Sequence, residues 1–79
     1  MAQVILSGEL AAIAGVREAR IDAVTVRALL RELEQQFPAL AGRLDELAIA
    51  IDGEIIQAPL LETLAPDSEV HFLAPIEGG

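Results

Sequence analysis

The chain has 79 residues, 53% of them hydrophobic, which is enough for one small globular domain and too apolar for a disordered one. Its net charge of −8 argues against nucleic-acid binding, which needs a basic stripe, and suits solubility or a basic partner. It has no cysteine, so disulfides, thiolate metal ligands and cysteine nucleophiles are excluded, and its five cations are all arginines: Arg17, Arg20, Arg27, Arg31 and Arg43.

The β-prone run Val4-Ile5-Leu6 is closed by Ser7-Gly8 and predicts a strand over 2–7. Ala11 to Ala14 reads as a short helical turn ending at Gly15. In "REARID" charged and apolar residues alternate, with Ala19 and Ile21 on one face and Arg20 and Asp22 on the other. That period of two predicts a half-buried strand.

"TVRALLRELEQQF" is the strongest element. Thr25 is a good N-cap. Val26, Leu29, Leu30, Leu33 and Phe37 fall on one helical face, a core stripe rather than a cofactor site. Pro38 stops the helix at or before Phe37. "ALAGRLDE" reads as a connector. "LAIAIDGEII" predicts strands at 47–51 and 54–56 around Asp52-Gly53, a pair that favours a two-residue type I′ turn. "QAPLLETLAPDSE" is rich in turn signals, with Leu60, Leu61 and Leu64 placed to pack under the sheet. "EVHFLA" is the last strand, with Val70 and Phe72 on one face and His71 and Leu73 on the other.

The order is β-β-α-β-β-β, with an early hairpin, one main helix and a later hairpin plus strand. This is an α+β layout. If the first and last strands are parallel neighbours mid-sheet, it is a β-grasp with a mixed sheet of four or five strands on one helix. The domain is expected over 1–73 and a flexible tail over 74–79. No apolar run reaches the roughly 20 residues of a membrane span, and no signal peptide is evident. A cytoplasmic protein without membrane or nucleic-acid partners is the expectation.

The body offers little chemistry. The lone histidine, His71, lies in a strand, where a structural or surface role is usual. Ser7 and Ser68 lack a Ser-His-Asp context, no Gly-rich phosphate loop occurs, and no metal site is expected. The last residues, "APIEGG", are different. Glycine has no Cβ, so Gly78-Gly79 can enter a channel too narrow for side chains and present an unhindered Gly79 carboxylate. Pro75 stiffens the exit from the last strand. Such a carboxylate is a poor acyl donor until converted to a good leaving group, for example by adenylation. The chain would then be a carried substrate with no independent catalytic site.

The sequence resembles the ubiquitin-like sulfur carriers, the MoaD/ThiS family, over nearly its whole length, and is most like MoaD, the small subunit of molybdopterin synthase. The segments that carry the resemblance are "LAAIAG", "VTVRALLRELEQQFPAL", "IAIDGEII" and above all "LAPDSEVHFLAPIEGG". It departs from the usual pattern at Asp67-Ser68-Glu69-Val70, at Ala74-Pro75 and at Ile76-Glu77.

The resemblance implies a cycle. An E1-like adenylyltransferase (MoeB/ThiF-like) adenylates Gly79 with ATP, and a sulfur donor converts the adenylate to a thiocarboxylate. Sulfur then passes to an acceptor, the MoaE-like large subunit of molybdopterin synthase, for molybdenum cofactor synthesis. No bound cofactor is implied. Gly78, Glu77, Ile76, Pro75 and Phe72 are the implied partner contacts, with core burial the competing role for Phe72. Thiamine or cysteine synthesis, or ubiquitin-like protein modification, are the alternative destinations.

Overall fold

The computed structural model describes residues 1–6, 8–44, 47–56 and 62–73. Five strands form one mixed sheet: β1 (Ala2–Ile5), β2 (Glu18–Ile21), β3 (Ala48–Ile51), β4 (Glu54–Ile56) and β5 (Glu69–Leu73), in the order β2-β1-β5-β3-β4. The first and last strands pair in parallel at the centre, with Val4 beside Val70 and Ile5 beside His71. β1 pairs with β2, and β3 with both β4 and β5, in antiparallel fashion.

Helix α1 (Gly8–Ala14) lies between β1 and β2. The single turn expected over 11–14 is therefore a seven-residue helix, and β1 and β2 pair around it rather than through a tight turn. Only Leu10 of this helix is buried, so its apolar face is too narrow to show a clear period. Helix α2 (Val26–Gln36) is the main one. The Thr25 hydroxyl oxygen accepts the Ala28 N–H at 3.2 Å, satisfying a donor that the helix itself leaves free. Val26, Leu29, Leu30 and Leu33 are buried against the sheet. Fully burying each contributes roughly 1.5–3 kcal/mol before entropy. Phe37 lies beyond the last helical residue as the C-cap and is only half-buried. Pro38 opens a 3-10 turn, Pro38–Leu40. That turn carries the apolar stripe onward: Leu40 and Leu44, read from the sequence as part of a connector, are both core residues.

Alternation along the strands decides what faces α2. Ala2, Val4, Ile21, Ile49, Val70 and Phe72 point into the core, and Leu64 joins them from the loop before β5. At the β3–β4 connection Asp52 has φ of 51° and Gly53 of 86°, the positive pair of a type I′ turn. Asp52 also fixes the start of β5: its carboxylate accepts the Glu69 N–H at 2.9 Å and its own N–H donates to the Glu69 carbonyl at 2.9 Å. The Ser68 hydroxyl, 3% exposed, accepts the Ala65 N–H at 2.9 Å and closes the turn leading into the strand. No helix among the described residues is long and apolar enough to cross a membrane.

Candidate functional site

The sequence places the reactive group at Gly79, with Gly78, Glu77, Ile76 and Pro75 leading to it. These residues, like Leu60 and Leu61, lie outside the described part of the structure. What the structure defines is the platform from which they depart. β5 occupies the middle of the sheet, hydrogen-bonded to β1 on one side and β3 on the other, and its last residue is Leu73. β5 is paired along both edges from Glu69 to His71, and β3 alone carries the pairing on through Phe72 and Leu73 to the point where residue 74 follows.

The sheet has one covered and one open face. The covered face takes Phe72, which is 4% exposed and packed in the core, directly beside Ile49 of β3. Phe72 therefore offers no surface to a partner, in line with the core burial weighed against the docking role in the sequence. Val70 and Phe72 alternate with Glu69, His71 and Leu73, which point to the open face.

Register builds that face row by row. Residues side by side across paired strands point the same way. One row runs Glu18, Ile5, His71, Ala50, Ile55 from β2 to β4. A second joins Arg20, Gln3 and Glu69, and a third joins Leu73 to Ala48. The β4 side is thus apolar, with Ile55 at 55% exposure, while central β5 contributes Glu69 and His71 and, at its end, Leu73 at 39% exposure. The rim on the β2 side is polar. There the Gln3 amide donates to the Glu18 carboxylate at 2.7 Å; on central β5 the His71 ring nitrogen Nε2 meets the Glu69 carboxylate at 2.7 Å.

His71 is a surface residue on this face, not a member of a catalytic group. Its only side-chain partner among the described residues is Glu69, two positions away on the same strand. No three His, Asp or Glu side chains come together as a metal site among the described residues. The apolar open face was missed in the sequence as a surface. Its signal was present: Ile5, Ile55 and Leu73 occupy the strand positions opposite to the core-facing ones.

The comparisons agree with this architecture. None of the curated proteins matches the chain. Among solved structures, small archaeal modifier protein 1 (SAMP1) from Haloferax volcanii is similar at 29% identity, with a TM-score of 0.81, covering 99% of this chain and 98% of that one. Its counterpart from Methanosarcina acetivorans superposes with a TM-score of 0.85 at 24% identity, covering 99% and 95%. Subunit 1 in the complex of subunits 1 and 2 of the Helicobacter pylori molybdopterin-converting factor is similar in fold, with a TM-score of 0.69 at 24% identity, covering 99% and 97%. These neighbours share the β-grasp, ubiquitin-like fold expected from the order of elements. The ThiS family model matches residues 4–79, from the first strand through both terminal glycines, and the chain belongs to the ThiS family of ubiquitin-like sulfur-carrier folds.

Proposed function

We propose that the chain is a sulfur carrier whose Gly79 carboxylate is the reactive group, and that its sulfur goes to molybdopterin synthesis. The observation that carries this reading is the central β5 strand, which ends at Leu73, followed in the sequence by Ala74-Pro75-Ile76-Glu77 and the Gly78-Gly79 pair that the family match includes. In the activation step a Gly79 carboxylate oxygen attacks the α-phosphorus of ATP and pyrophosphate leaves. A sulfide nucleophile from the donor then attacks the carbonyl carbon, and AMP leaves with the C–O electron pair. The product is a thiocarboxylate. An E1-like adenylyltransferase supplies the catalysis, and this chain supplies a narrow, reachable acyl group and a surface to recognise.

That surface is the open sheet face. Ile5, Ile55 and Leu73 provide apolar side chains on this face, with Glu69 and His71 on β5 between them and Glu18 and Arg20 at the β2 edge. Interfaces combine such apolar anchors with polar groups around them. A MoaE-like large subunit is the proposed acceptor. The complex of the two Helicobacter subunits supports a partner of that kind on this fold.

The likeness to small archaeal modifier protein 1 favours a second reading, in which the same activated carboxyl is joined to protein amines. One reconstitution separates the two. The chain is incubated with an adenylating enzyme, a sulfur donor and the molybdopterin synthase large subunit, and in parallel with cell extract. Sulfur delivered to the pterin substrate, with no conjugate ladder in the extract, supports the carrier. A ladder that disappears when Gly78 and Gly79 are deleted, with no sulfur delivered, replaces it with the modifier.

A further inference from the structure

We propose that the folded body excludes strong side-chain acceptors for its own activated terminus, so that the acyl group at Gly79 is not taken up by the side chains of neighbouring copies. This inference rests on the reading of Gly79 as an activated carboxyl. Its basis is in the side chains. Lysine amines and cysteine thiols are the strong side-chain nucleophiles toward an acyl-adenylate or thioester. All 79 residues include neither: the five cations are arginines and there is no cysteine. The arginine guanidinium is a delocalised cation with no free lone pair to offer.

The structure shows why this matters. Arg17, Arg20, Arg27, Arg31 and Arg43 are all exposed. A lysine at any of these positions would present its amine to the activated carboxyl of every neighbouring copy. Arg20 lies on the open sheet face, in the row with Gln3 and Glu69, where the proposed partner docks. The hydroxyls and the imidazole are weaker acceptors than an amine or thiolate: the exposed Thr63 hydroxyl has no base among the described residues to activate it, and Thr25 holds the Ala28 N–H. The Ser68 hydroxyl is 3% exposed and holds the Ala65 N–H, and the His71 ring is engaged with Glu69. An acyl-imidazole on His71 would in any case pass its acyl group on to water. The positive charges therefore remain available for solubility and recognition without adding reactive amines. For the carrier, this directs the acyl carbon to the sulfur donor. For the modifier, it limits a conjugate to one unit per target, without side-chain-linked chains.

The reaction that the body avoids is aminolysis. An amine nitrogen attacks the Gly79 carbonyl carbon, the C–N bond forms, the leaving group departs with its electron pair, and the amine loses a proton to solvent. The test runs this reaction directly. The full 79-residue chain is prepared with a C-terminal alkyl thioester by intein cleavage and with its main-chain amine acetylated, then held concentrated at mildly alkaline pH. Arg20→Lys, Arg27→Lys and Arg31→Lys chains, which keep charge and fold, are treated identically. The parent is expected to decay only to the free acid and to stay monomeric on denaturing gels. The lysine chains are expected to accumulate amide-linked dimers at least several-fold above it. Dimer from the parent at the rate of the variants, or variants as inert as the parent, overturns the proposal. Because the thioester is installed without any adenylating enzyme, this result stands apart from whether such an enzyme acts on Gly79.

Discussion

Phe72 and Leu73 are adjacent in β5, point to opposite faces, and should respond oppositely to truncation. Phe72 is 4% exposed in the core, and its replacement by alanine removes most of a buried aromatic and leaves a cavity, a loss of about 3–5 kcal/mol. A domain of this length has a total stability of roughly 4–12 kcal/mol, so Phe72→Ala should remove about a quarter of it or more and lower the urea midpoint sharply. Leu73 is 39% exposed on the open face, and Leu73→Ala should cost only about 1 kcal/mol of stability. If the open face docks partners, Leu73→Ala should instead weaken binding to the adenylating enzyme by about 1 kcal/mol or more, some fivefold. Urea unfolding followed by circular dichroism gives the first quantity, and calorimetric titration with the enzyme gives the second. A Leu73→Ala chain that binds like the parent, or a Phe72→Ala chain that folds normally and loses only binding, would refute the assignment of faces.

Two further substitutions test the local structure. Ser68→Ala leaves the Ala65 N–H without its acceptor at the turn into β5, and should lower the unfolding free energy by about 1–3 kcal/mol while circular dichroism of the native state stays unchanged. Gly53→Ala places a Cβ on a residue with φ of 86°, and although its surroundings are open, the left-handed backbone alone should cost about 1–2 kcal/mol, read as a lowered thermal midpoint.

Much of this architecture was legible because local and long-range signals coincided. The stripe Val26, Leu29, Leu30, Leu33 predicts α2 because a period of 3.6 has no competing interpretation over eleven residues, and Thr25 marks its start. Asp52-Gly53 predicts its turn because few residues accept positive φ. Helix α1 was only partly legible. Its seven residues include one buried side chain, and tertiary contact rather than periodicity holds it. Leu40 and Leu44 were hidden in a segment without a regular period, since a 3-10 turn changes the spacing of the apolar positions.

The site divides in the same way. Gly78-Gly79 stands out in the sequence by residue type alone. The open face does not, because β5 carries apolar residues on both sides. Alternation separates Phe72 from Leu73, but only the position of α2 says which side is covered.

The central claim is that Gly79 is activated and sulfurated, and intact mass spectrometry of the chain tests it most directly. After incubation with an E1-like adenylating enzyme, ATP and a sulfur donor, the account predicts the mass of one sulfur-for-oxygen exchange, located in the C-terminal fragment and lost when Gly79 is deleted. An unchanged mass under conditions in which the same enzyme sulfurates its own established carrier would contradict it.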